Sequence, residues 1–540
     1  MNRISGLIQC RWMSFITVSG LFGGLLLVSD SCIQAEDKVA SGQTAEGEPK
    51  KYAKSPITIS PETTVIDGPL SQYGYVDYIA ALNQQLSIGV TPENNSAVLF
   101  LQITGPHEVG QNTAEYCRML GIPELPSDGQ YMVSADRFEV PPENAETSQL
   151  RLTEHDLAMK GPWTAEQIPA LARWLDQQSS HFDQIEQATL RSRYYTPLIS
   201  GNPPAVVAVL LPQAQTSRTV ARSLCIRSMF RLGKGDVPGA WQDILSMYRL
   251  ARLVGQGPTL IEGLVGVAID AMADIATIHL IQSKHLTLEQ AAKIQDDLDA
   301  LKPVCVMADK IDTAERYMFL DTVGLMLREG PGGWSELLGG EAEPALTKML
   351  GQVAMQSIDA DETMRVGNRW YNKLVANMRL ATYQERRAAF ALNEEELKVI
   401  RGNSTGVTAT LTLLAGSNKG RGEMFGEMLV TMLVPAIQQV DVAAERSLVR
   451  RDQTRIALAL RMFQMETGLF PATLSRLAPR YLPEVPLDRF SLQPIQYASE
   501  GMSCKFSSVG KNGKDDSDLD QPPEATSDDL LVELKLDAEK

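Results

Sequence analysis

Apolar positions recur at helical spacing over most of this chain and at strand spacing only near its end. AVVAVLLPQAQTSRTVARSLCIRSMFRLGKGD reads as a helix stopped by Gly233, Gly235 and Asp236. In PGAWQDILSMYRLARLVGQGP the apolar set Ile244, Met247, Leu250, Ala251 and Val254 repeats near every 3.6 residues. TLIEGLVGVAIDAMADIATIHLIQ is apolar nearly all round, which predicts a helix in the centre of a pack. LTLEQAAKIQDDLDALKP adds an amphipathic helix ended by Pro303. TAEQIPALARWLDQQ predicts a helix from a Thr164 cap with Gln167 completing a capping box. TPENNSAVLFLQITGP predicts one that opens at Thr91-Pro92. Strand signals are few here, so the expectation is a mainly α-helical array.

The C-terminal third changes character. RGEMFGEMLVTMLVPAIQQVDVAAERSLVRRDQTRIALALRMFQMETGLFP predicts a near-continuous helix. Pro435 marks a kink or the true start, and Gly468 with Pro471 marks the stop. Ile456, Leu460 and Phe463, beside Leu458, Met462 and Met465, form a wide apolar face suited to a sheet. Three short strand candidates follow, Pro494–Ala498, Ser503–Ser508 and Leu530–Leu534. A long helix before a small antiparallel sheet is an α+β pattern.

The first residues are patterned for export. Arg3 and Arg11 precede the uncharged run FITVSGLFGGLLLV, and Ala35 offers a small residue before acidic Glu36-Asp37. The expectation is a signal peptide over 1–35, with an uncleaved membrane anchor as the alternative. Residues 36–70 are rich in Gly, Pro, Lys, Glu and Thr and predict a disordered linker. Residues 71–415 then form the helical domain, and 420–540 the C-terminal domain.

Composition adds exclusions. The chain of 540 residues, with 44% hydrophobic and 21% charged residues, is globular and too long for one ordinary core. Its net charge of −16 provides no basic field for phosphate, so nucleic acid is not an expected partner. From Lys511 to Lys540, four Lys stand against ten Asp or Glu, the most acidic stretch of the chain. Cys117, Cys225, Cys305 and Cys504 lack zinc spacing. They suit small buried apolar positions, and if oxidised they would allow three pairings.

No catalytic signature emerges. The five His, at 107, 155, 181, 279 and 285, form no HExxH, and neither GxSxG nor a phosphate-binding glycine loop occurs. In ADKIDTAERYMFLD, Asp312 and Arg316 stand one turn apart, with Glu315 and Asp321 nearby. That set reads as a salt-bridge group, or as the acid–base centre of an exported enzyme with its site in the helical domain.

LVPAIQQVDVAAERS followed by TRIALALRMFQMETGLFP is similar to the second half of a pilin helix running into its closing G-x-[YF]-P. LDRFSLQPIQY resembles the LDPWGxPYxY of major pseudopilins of type II secretion systems, at Leu487, Asp488, Pro494 and Tyr497. SSVGKNGKDD…SDDL resembles their S-x-G-x-D-G-K…D-I ending. The segment from about Leu433 to Leu534 therefore resembles the pilin fold. A pilin's leading helix is long and unbroken, whereas only MLVTMLV separates Glu427 from Pro435, too short to span a bilayer. The expectation is a pilin-like head fused to an exported helical domain.

Asp516, Asp518 and Asp520 imitate the first ligands of an EF-hand, but Gln521 and Ser527 fall where its Gly and Glu belong. The resemblance implies another kind of calcium loop, one tied to the last strand. Asn512 falls on the family's first aspartate, and Asp528 and Asp529 on its later ones. Acids from the 515–520 run, with Asp516, Asp518 and Asp520 the candidates, join them. A solvated acidic loop is the alternative. The function expected is a non-catalytic protein of the bacterial periplasm or cell envelope, with protein partners there, beside a secretion or pilus-like apparatus. Membrane contact would run only through an uncleaved N-terminal segment.

Overall fold

A computed structural model describes residues 52–139, 145–200, 205–209, 211–338, 358–403, 416–433, 435–516 and 527–536. The expected signal segment lies outside them. The fold is mainly helical, with a three-stranded antiparallel sheet near the C-terminus. Helices α1 (Tyr78–Leu86), α2 (Ser96–Thr104), α3 (Thr113–Leu120), α4 (Ala145–Met159), α5 (Pro169–Gln177) and α6 (Ser179–Thr189) come first. Then follow α7 (Pro212–Gly233), α8 (Val237–Val254), α9 (Leu260–Ile281) and α10 (Leu288–Asp299). A short turn at Met307–Lys310 and a π-helical turn at Ile311–Glu315 lead into α11 (Arg316–Leu338). Beyond it lie α12 (Ala360–Met378), α13 (Tyr383–Asn403), α14 (Asn418–Leu433) and α15 (Pro435–Thr467). The strands are β1 (Gln496–Glu500), β2 (Ser503–Ser508) and β3 (Leu530–Lys535), in that order across the sheet.

Local chemistry explains most boundaries. Thr259 and Glu262 close a reciprocal capping box on α9, and Thr287 with Gln290 does the same for α10. Asp236 caps α8 through the Gly239 N–H. Gly468, at φ +89°, ends α15 with its N–H on the Gln464 carbonyl.

Several expected boundaries shift. The Gln167 side chain does accept from Thr164 N–H at 2.8 Å, but it closes a turn, and α5 begins at Pro169. Thr91-Pro92 likewise opens a turn, because Asn95 caps α2 by accepting from Ala97 N–H. The long C-terminal helix is two helices, with Pro435 starting the second. The segment expected to be a disordered linker packs from its described part onward. Thr63 and Thr64 are buried, and their neighbours bind α12 where Asn368 Nδ2 donates to the Glu62 and Thr63 carbonyls at 2.9 and 2.8 Å. Its polar composition hid the contacts, which run through backbone groups.

Two large cores divide the interior. One gathers α2, α5 to α10, residues Ile456–Leu460 of α15, and Cys504, Phe506 and Leu534 of the sheet. The other gathers α11, α12, α13 and α14 with Ile437 and Val440 of α15. Helix α15 is thus common to both. Helix α9 has the length and composition of a membrane span, but it is mostly buried and packs against α7, α8 and α15. The sheet puts alternate residues inward: Cys504 pairs with Leu534, and Phe506 with Val532. All four described cysteines are free thiols, three of them fully buried.

Candidate metal centre

The C-terminal end of the molecule is organised by one buried carboxylate. Asp488, in the turn before β1, accepts from Phe490 and Ser491 N–H through Oδ1 and from Val509 N–H through Oδ2 at 2.8 Å. It pins the exit of β2 to the turn that enters β1. The chain then turns at Gly510, φ +64°, where a Cβ would lie 2.3 Å from the Asp528 carbonyl oxygen. Only glycine lets the two segments approach this closely.

That approach brings the acids together. Asn512 N–H donates to Asp528 Oδ2 at 3.2 Å, and Asp516 N–H donates to Asp529 Oδ2 at 3.1 Å. Asp516, Asp528 and Asp529 each offer an oxygen within 4.8 Å of the others. Asp528 Oδ1 is buried and accepts no hydrogen bond among the described residues. Asp516 is exposed and the other two are half-buried. Three carboxylate oxygens at this spacing repel unless a cation or donors stand between them, and an all-oxygen donor set fits a hard divalent ion.

Of the residues expected from sequence, Asp516, Asp528 and Asp529 meet. Asn512 stands beside them with its Oδ1 accepting from Lys514 N–H at 2.7 Å and its Nδ2 donating to Asp516. Asp518 and Asp520 lie outside the described residues. Sequence reasoning missed the basic frame around the loop. Arg387 Nη1 donates to the Lys511 and Asn512 carbonyls, each at 3.4 Å, and Tyr383 Oη donates to the former. Arg446 Nη2 reaches the Asp528 carbonyl at 3.5 Å. These donors come from α13 and α15, and no local pattern links them to a loop many residues away.

The alternative centre in the helical domain is occupied by structural contacts. Arg316 pairs with Asp312 at 2.6 Å and with Asn372 at 2.8 Å, and Glu315 accepts from Leu260 N–H at the start of α9. Asp321 accepts from Val206 N–H at 2.7 Å, and burial pushes its carboxyl up to about 6 against the pull of that bond and of Arg328. Asp321 and Arg328 line a small pocket with Tyr75 and Tyr78. No family model, curated protein or solved structure matches the chain.

Proposed function

We propose that this chain is an exported, non-catalytic protein of the bacterial cell envelope, carrying a pilin-like, calcium-tied head on a helical interaction core. One observation carries this reading. A long helix lies against a three-stranded antiparallel sheet, and Asp516, after β2, meets Asp528 and Asp529 at the foot of the last strand. The turn motifs that resemble those of type II secretion pseudopilins frame that meeting. Asp488 holds its turn by three backbone N–H groups, Leu487 bridges to Pro494, and Tyr497 Oη donates to the Pro471 carbonyl at 2.7 Å.

Calcium held by Asp516, Asp528 and Asp529 would offset their mutual repulsion and fasten β3 to the loop. The ion's part is structural, so its loss should loosen the head rather than stop a reaction. Partners are expected to be protein components of a secretion or pilus-like apparatus, and because a fold alone does not fix a function, that reading stands or falls on recovering them. Co-purification of the tagged full chain from envelope fractions tests this. Recovery of pseudopilin or secretion components supports the reading, and their repeated absence overturns it.

A further inference from the structure

Helix α9 carries two aspartates, Asp270 and Asp274, one turn apart in an otherwise apolar sequence, and both are buried. They face the joint between α8, α9 and α15. From α8, Arg252 pairs with Asp270, and the Tyr248 hydroxyl donates to Asp274 Oδ1 at 2.7 Å. From α15, the Thr454 hydroxyl donates to the same Oδ1 at 3.0 Å, and Ser447 hydrogen-bonds Asp270. Arg450 and Arg451 of α15 act on the pair through space, with Arg446 and Arg455 behind them. Arg451 donates to the Leu298 and Leu301 carbonyls at the end of α10, and Arg455 pairs with Asp299 there. The segment before α11 adds Cys305, whose thiol is pushed up by burial, with Lys310 opposing that rise and Asp270 adding to it.

The two aspartates are not equivalent. Asp270 has a guanidinium on it. Among the described residues Asp274 receives only hydroxyl donors, both on Oδ1, and its Oδ2 is buried without a hydrogen-bond partner. A lone buried carboxylate oxygen is costly when charged and far less so when neutral. We propose that Asp274 is a proton-operated latch between the helical core and the C-terminal module, seating α15 on α9 when protonated and weakening that joint when ionised.

Burial first, and the neighbouring Asp270 second, push the Asp274 carboxyl up to about 7, against the Tyr248 and Thr454 hydrogen bonds and Arg450. The folded value is raised, so the folded state binds the extra proton. Stability from this group is full below about pH 4, the ordinary carboxylate range, and is lost as pH rises through about 7.

The test uses the full chain, with melting and hydrogen exchange at pH 5 and pH 8. Wild type should lose exchange protection in α9 and α15 at pH 8. Asp274→Asn keeps both hydroxyl contacts and should hold that protection at pH 8, melting a few degrees above wild type there and level with it at pH 5. Equal effects at both pH values, or a melting change without local loosening, overturn the proposal. Should the variant fail to fold, infrared titration of wild type decides. Asp321 and Asp441, raised to about 6, fade at lower pH, so a protonated, water-shielded carboxyl band that fades around pH 7 in step with the loss of exchange protection in α9 and α15 supports the latch, and its absence, or fading without that loss, overturns it. Asp270→Asn, which strips Arg252 of its partner, should destabilise at both pH values.

Discussion

Helix α15 carries charge into the interior at two places, built the opposite way round. Near its start it supplies the acids. Asp441 and Glu445 take the Nε and Nη2 of Arg386, from α13, and all three side chains are buried. Further along it supplies arginines, and α9 supplies the acids. At the first place each carboxylate has a guanidinium hydrogen bond. At the second, Asp274 has none. Burial raises Asp441 as well, to about 6, but Arg386 counters it directly, whereas the charged neighbour that counts most for Asp274 is another acid. A buried charge is tolerated where its partner reaches it, and becomes conditional on pH where the partner only stands nearby.

That contrast can be broken at the paired end first. Arg386→Met should cost about 3–5 kcal/mol at pH 8, because buried Asp441 loses its counter-charge and buried Glu445 keeps only Arg489, 3.9 Å away. Urea unfolding should show a smaller loss at pH 5, where Asp441 takes a proton. Calcium at about 100 times its Kd should add about 2.7 kcal/mol to stability by mass action. Asp528→Asn should remove most of that gain and, by relieving the repulsion among the three acids, leave stability in a chelator level with wild type or slightly above it, as differential scanning calorimetry would show. Two opposite melting shifts at pH 8, a fall in Arg386→Met and a rise in Asp274→Asn, would sharpen the comparison, and shifts of one sign would break it. The smallest effect belongs to the exposed pair Lys373–Glu396, 2.7 Å apart between α12 and α13. Lys373→Ala should cost under about 1 kcal/mol and vanish in high salt.

Much of the fold was legible because its signals are local. The helix stop at Gly233 to Asp236, the apolar cycle of α8, the cap at Gly468 and all three strands follow from spacing and turn chemistry within a few residues. The misplaced starts of α2 and α5 also have a local cause. Thr91 and Thr164 each find a partner three residues on, and that contact closes a turn as readily as it opens a helix. Asp516, Asp528 and Asp529 could be picked as a group only through the resemblance, since no periodic rule brings residues so far apart into one cluster. Asp270 and Asp274 passed unnoticed in a helix read as apolar nearly all round, and nothing nearby in sequence said that Tyr248, Thr454 and the arginines of α15 would meet them.

By itself, then, the sequence determined the helical composition, the late turn to β-structure, the acidity of the loop between β2 and β3, and the chain breaks at Pro435 and Gly468. These depend on backbone preferences and short-range hydrogen bonds. Only the tertiary structure decided that α15 would be shared between two cores, that Gly510 would bring Asp528 against the loop, and that Asp274 would be buried with hydroxyl donors rather than a guanidinium on its carboxylate. Burial and pairing are set by residues far away along the chain, and a carboxylate's character follows its surroundings rather than its place in the sequence.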